Sequence, residues 1–301
     1  MITEACLVGP SNESEVDDFL SQCKPSANSL SSGPWYWVRL PQAQKGAEDS
    51  TSKPAEEKAG GDDVYAAFEA EGQELVEALT EQCAHIKVTA PTRGNKKQGI
   101  KSQKELREAE YEKFNTAVEK LAMKHKILTG KWLFYSSSDI IDFTWSKIVK
   151  ALALPEGSLA KTGSVHTAKV SSTASNGEQS VICVYCDDSW DREGVEKAFR
   201  ALVHEEGLVS SAYKCDANTL LGIDSKHPSG IRSSLYGKTT FMTQAEIDAA
   251  FESKTKKKEV KKKTLEQELE GGAGDGFDPV SENEEEEEER PRKKVAKKAK
   301  K

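Results

Sequence analysis

The stretch "SVICVYCD", residues 180–187, is apolar at consecutive positions in a chain where 31% of residues are charged. A strand facing water on one side alternates; one that is apolar throughout needs cover on both faces. This chain is therefore expected to build a sheet with 180–187 as a central strand, and the remaining elements arrange around that requirement.

The neighbours of this stretch supply the partners. "TGKWLFYS", residues 129–136, is short, aromatic-rich and alternating, as is a half-buried strand. "SSDIIDFTWSKIVKALAL" places Ile141, Trp145, Ile148 and Leu152 at helical spacing behind polar starters Ser137, Ser138 and Asp139. "SVHTAKVSS" reads as a strand with one polar face. "SWDREGVEKAFRALVHEEG" is the clearest helix: Ser189 or Asp191 caps it, Val195, Phe199, Leu202 and Val203 face inward, and Gly207 supplies the left-handed end. "LVSSAYK", "NTLLGI" and "SSLYGKTTFM" are expected to be further short strands. Strand, helix, strand, strand, helix and then strands favours α+β, a mostly antiparallel sheet with helices on one face.

Outside this region, two helices are expected over 63–128. Val64, Phe68, Leu75, Leu79, Cys83 and Ile86 recur near 3.6 residues, and after a basic loop Ser102 and Glu105 form a capping box before Leu106, Phe114, Val118, Leu121 and His125. His125 lies at the edge of that stripe with no ligand-spaced companion, so it reads as a boundary residue. Residues 31–41, "SSGPWYWVRLP", are bounded by Gly33-Pro34 and Pro41, and alternation puts Trp35, Trp37 and Arg39 on one face and Tyr36, Val38 and Leu40 on the other. Residues 1–30 form an acidic segment, with 12–23 helical around Val16, Phe19 and Leu20; 42–62 is a polar linker expected to be disordered.

Charge is distributed in blocks. Residues 129–245 hold 12 Lys+Arg against 13 Asp+Glu, so the expected core is near neutral. Residues 246–301 alternate basic and acidic runs and end in "RPRKKVAKKAKK", Arg290–Lys301, which suits a disordered tail, a nuclear-import signal or a phosphate binder, and places the protein in the cytoplasm, the nucleus or both. Six scattered cysteines fit reduced thiols. No apolar run is long enough to span a membrane, and the first residues lack a secretory pattern. Cys183 and Cys186 match a CxxC spacing, but on a strand they point to opposite faces and share no metal. No phosphate-binding glycine loop, nucleophile elbow or zinc-protease motif is present, so no metal, cofactor or catalytic residue is assigned.

In order and spacing, "TGKWLFYSSSDIIDFTWSKIVKAL", "AKVSS", "SVICVYCDDSWDREGVEKAFRAL" and "YKCDANTLLGI" resemble a eukaryotic family of unknown function that includes basophilic leukaemia-expressed protein. The resemblance covers about 129–242 and, less surely, 33–40. It implies a fold similar to translation initiation factor 4E, the messenger-RNA cap-binding protein: a curved, mostly antiparallel sheet with helices on its convex face. "KWLFY" then looks like that factor's first sheet strand, and "IDFTWSKIVKAL" like the dorsal helix where a partner peptide docks, at Trp145. Cap recognition needs a second aromatic and a carboxylate between dorsal helix and central strand, and basic groups just before that strand. Residues 146–180 contain no Phe, Trp or Tyr, and "VSSTASNGEQS" contains no Lys or Arg. The resemblance thus implies the fold without the cap site.

Three functions remain open at this level. The first is a binding module taking RNA or a nucleotide in an altered manner, with Trp35, Trp37, Arg39, Lys131, Lys214 and Asp216 as candidate ligand contacts. The second is a protein adaptor acting through Trp145 and the charged tail. The third is an enzyme centred on Lys214 and Asp216, where the bland alternative is an ion-paired hairpin.

Overall fold

The computed structural model describes residues 4–27, 33–40, 62–172 and 179–254. The expected linker at 42–62 therefore falls almost wholly outside the described residues, and residues 255–301, with the basic terminus Arg290–Lys301, wholly outside them.

The architecture is α+β. Among the described residues, seven strands form one sheet in the order β1-β2-β4-β5-β3-β6-β7. They are β1 (Ala5–Val8), β2 (Trp35–Arg39), β3 (Gly130–Ser137), β4 (Val165–Ser171), β5 (Gln179–Cys186), β6 (Ala212–Cys215) and β7 (Tyr236–Gly237). Every pairing is antiparallel except β1 with β2. The strand apolar on both faces, β5, occupies the centre. Its Ile182, Val184 and Cys186 face the main core, while Cys183 and Tyr185 face a smaller cluster with Trp37. Cys183 and Cys186 thus lie on opposite faces.

Helices α4 (Ser138–Ala153) and α5 (Arg192–Ala201) cover the first face. Ile141, Trp145, Ile148 and Leu152 of α4, and Val195, Phe199 and Leu202 of α5 and the turn after it, enclose Trp132 and Phe134 of β3. Trp132 lies 4.7 Å from Phe199 and 5.1 Å from Tyr213, centroid to centroid. Asp191 caps α5 by accepting from Gly194 N–H, and Gly207 closes the π-turn that prolongs it, at φ 64°. Helix α1 (Glu13–Gln22) is capped by Asn12 and buries Val16 against α4.

Helices α2 (Asp62–Thr89) and α3 (Gln103–His125) form an antiparallel hairpin with its own core. The capping box is present: Ser102 accepts from Glu105 N–H and Glu105 accepts from Ser102 N–H. This hairpin packs on the end of β6 and on α6 (Asp216–Leu220), with Phe68, Phe114 and Leu121 against Cys215, Ala217 and Leu221. His125 sits at its margin, 3.1 Å from Glu71.

Several expectations are corrected. "NTLLGI" continues α6 rather than forming a strand, because Asp216 opens a short helical turn whose apolar side meets the α2–α3 hairpin. "SSLYGKTTFM" contributes only the two ladder residues of β7 and otherwise turns. In the acidic first segment the helix read at 12–23 is present as α1 and closes over α4, and Ala5–Val8 adds an edge strand that was not expected. The folded region also continues past 245: residues 244–254 form a further helix that buries Ile247 and Ala250 in the main core. Among the described residues, no helix is long and apolar enough to cross a membrane.

A candidate anion-binding sheet face

The face of the sheet opposite α4 and α5 gathers most of the candidate ligand residues, and strand register explains how. Arg39 pairs with Thr167, Thr167 with Tyr185, Tyr185 with Lys131, and Lys131 with Lys214. Side chains paired across a ladder share a face, so these five residues, one from each of β2, β4, β5, β3 and β6, form a row running straight across the strands. A second row follows two residues along: Trp37, Lys169, Cys183, Leu133 and Ala212. Trp35 and Tyr135 lie a further step along on β2 and β3.

Cations and aromatic rings interleave on this face. The Lys169 ammonium sits 4.1 Å from the Trp35 ring centroid, 4.7 Å from that of Trp37 and 5.9 Å from that of Tyr185. Arg39 lies over Trp37 at 5.1 Å and Lys131 over Tyr185 at 5.2 Å. Trp37 donates from Nε1 to Glu4 at 2.5 Å. Lys169 and Tyr185 are each only 3% exposed and form the floor; Trp35, Arg39, Lys131 and Lys214 are partly exposed, and Tyr135 is 53% exposed. Sequestering an ammonium from water costs several kcal/mol, of which each ring contributes back on the order of 1–2 kcal/mol.

At the β3–β6 end the structure rearranges an expected pair. The carboxylate of Asp216 pairs with Lys131, at 2.9 Å, and accepts from the Thr129 hydroxyl at 2.6 Å. Among the described residues Lys214 has no ion pair with Asp216; it stands beside Lys131 across the ladder. Burial, and next the Lys131 charge, push the Lys214 ammonium below its usual pKa. The arrangement at this end is a lysine pair with one carboxylate, in which Lys131 rather than Lys214 holds Asp216.

The sign of the Lys214 shift has a measurable consequence. A lysine whose folded pKa is depressed is held less protonated in the fold than in the unfolded chain, so its penalty is full at neutral pH and fades as pH rises through the folded pKa. Lys214→Met is expected to raise the melting temperature by a few degrees at pH 7, with the gap to wild type narrowing toward pH 10. Thermal unfolding across that range checks it; a variant less stable than wild type at pH 7 contradicts it.

Trp145 is wholly buried in the main core, so its ring offers no surface to a partner; on α4 it is Ile140 and Phe143, 53% and 57% exposed, that meet solvent. Trp35 and Trp37 do not pack under the α2–α3 hairpin, whose core is separate. Lys169 and Tyr185 were missed from sequence. Alternation along β4 would have found Lys169, since Ala168 and Val170 take the helix-covered face and leave it the other. Cavities of about 250 Å³ beside α1 and α4, and about 180 Å³ between α2 and α3, lie away from this face. No group of three or more metal-ligating side chains occurs among the described residues.

Comparison with protein families gives a match that extends the resemblance toward the amino terminus, through α2, α3 and most of the short strand pair at the sheet edge. The model for basophilic leukemia-expressed protein Bles03 aligns with residues 7–222, which is more than half of the chain, and the protein belongs to that family.

Proposed function

We propose that this protein is a non-enzymatic binding protein whose second sheet face takes single-stranded RNA or a nucleotide without cap selectivity, on a fold of the initiation factor 4E kind. The fold reading is supported by the mostly antiparallel seven-stranded sheet with α4 and α5 on one face and by the order of the sequence motifs. The observation that carries the binding reading is the cation–aromatic row structure: Arg39, Lys131, Lys169 and Lys214 interleaved with Trp35, Trp37 and Tyr185 on one face of a domain otherwise near neutral. Phosphate contacts from lysine and arginine supply affinity for nucleic acid, and the partly exposed Trp35 ring adds stacking worth about 1–3 kcal/mol per base, while Trp37 and Tyr185, 4% and 3% exposed, lie beneath the cations.

The same geometry argues against cap selectivity. A methylated, cationic base is attracted to a pair of rings by their electron-rich faces. Here the Lys169 ammonium already lies against the Trp35 and Trp37 rings, at 4.1 and 4.7 Å from their centroids, so the two do not offer a vacant sandwich for a cationic base. Titration of the full chain with a short single-stranded RNA at low salt, followed by tryptophan fluorescence, is expected to show saturable binding that methylated cap analogue does not outcompete relative to its unmethylated form. Absence of RNA binding at 50 mM salt or below, or strong preference for the methylated cap, would sink the reading.

A further inference from the structure

Resting on the reading above, we infer that the ligand is an oligonucleotide laid across the strands, from β2 to β6, rather than a single nucleotide seated in a pocket. The partly exposed cations of the row are not clustered. Lys131 and Lys214 are ladder neighbours, whereas Arg39 is separated from Lys131 by β4 and β5. Neighbouring strands lie about 4.8 Å apart, which puts the backbone of Lys131 beside that of Lys214 but the backbone of Arg39 about 14 Å from that of Lys131 and about 19 Å from that of Lys214. Engaging both ends takes phosphates separated along a chain.

The rings point to the same direction of travel. Trp35 on β2 and Tyr135 on β3 stand at the same level of the sheet, and each is four residues along its strand from a cation of the row, Arg39 and Lys131 respectively. Four residues of strand cover about 13 Å, so each ring is out of the row itself but within reach of a base whose phosphate is held there. The pattern repeats at β2 and β3: cation in the row, ring to the same side of it. That repetition suits a polymer with a phosphate and a base in each unit. A span near 19 Å corresponds to the lower end of single-strand site sizes, about four nucleotides.

The test uses the full chain and fluorescein-labelled oligouridylates of one, two, four and eight nucleotides at fixed low salt. Affinity is expected to climb at least tenfold between one and four nucleotides and then to level off. Arg39→Gln is expected to weaken the tetramer about tenfold and to cut the tetramer's advantage over the mononucleotide by the same factor, because the longer ligand engages β2 and the lysine pair together. Equal affinity for one and four nucleotides overturns the cross-strand arrangement while leaving nucleotide binding intact. No binding at any length overturns both.

Discussion

Trp145→Ala is expected to destabilise the protein by about 3–5 kcal/mol, the range for removing a large aromatic from a packed core. In a domain of this size that lowers the melting temperature by roughly 10 °C. Trp145 is wholly buried on α4 among Ile141, Ile148 and the strands beneath, so nothing outside the protein fills the space it leaves. Phe143→Ala is the paired measurement. Its ring stands 57% exposed on the same helix, and its removal is expected to change stability by no more than about 0.5 kcal/mol. Urea unfolding of both variants separates a core role from a surface role. Comparable small losses at both positions would mean that Trp145 is a surface residue after all, and would restore it as a docking anchor.

The second large effect concerns binding. Changing Arg39, Lys131 and Lys214 together to Gln removes three cations from the cross-strand row. Each phosphate contact to a single strand contributes about 0.7 to the slope of log affinity against log salt, so the slope is expected to fall by about 2. At 50 mM salt the affinity for a short RNA is expected to drop 100-fold or more. The control is the triple change of Lys150, Lys161 and Lys197 to Gln. Those side chains are each more than half exposed in ion pairs away from the row, with Asp17, Glu156 and Glu193, and pairs of that kind contribute little to stability. The control alters net charge equally and leaves the row intact, so its slope is expected to stay near wild type. Equal loss in the two triples would show general electrostatic attraction rather than a site. Because Lys131→Gln leaves Asp216 without its ion pair, adding Asp216→Asn to the row variant checks that the loss does not come from local unfolding.

Elements with strong local signals were legible before any coordinates. The capping box at Ser102 and Glu105 formed as written, because both partners sit within one turn. Helix α5 began at Asp191 and its π-turn ended at Gly207 for the same reason. The central strand was legible because an uninterrupted apolar run has few other places in a soluble sheet. Elements whose stability is borrowed from distant partners were not. Residues 216–220 carry strand-like apolar content, and the hairpin of α2 and α3 is what selects a helical turn there. Ala5–Val8 is too short to announce itself and exists as a strand through its parallel ladder with β2. The helix at 244–254 lies at the start of the charged region, and Ile247 and Ala250 hold it to the core.

The candidate site divides along the same line. Alternation within 35–39 was enough to put Trp35, Trp37 and Arg39 on one face, since side-chain direction in a strand depends only on the residue and its immediate neighbours. Composition was enough to show that the folded region is near neutral and that its cations must be concentrated to matter. Neither property says which residue of one strand stands beside which residue of another. Arg39, Thr167, Tyr185, Lys131 and Lys214 are spread over more than half the chain, and only the ladders of five strands bring them into one row. Register is set by how many side chains each pairing buries against α4 and α5, and a slip of one residue would turn every one of these cations to the other face. The types of residue on each face were written in the sequence; their alignment into a row, the capture of Asp216 by Lys131, and the burial of Trp145 were decided by packing.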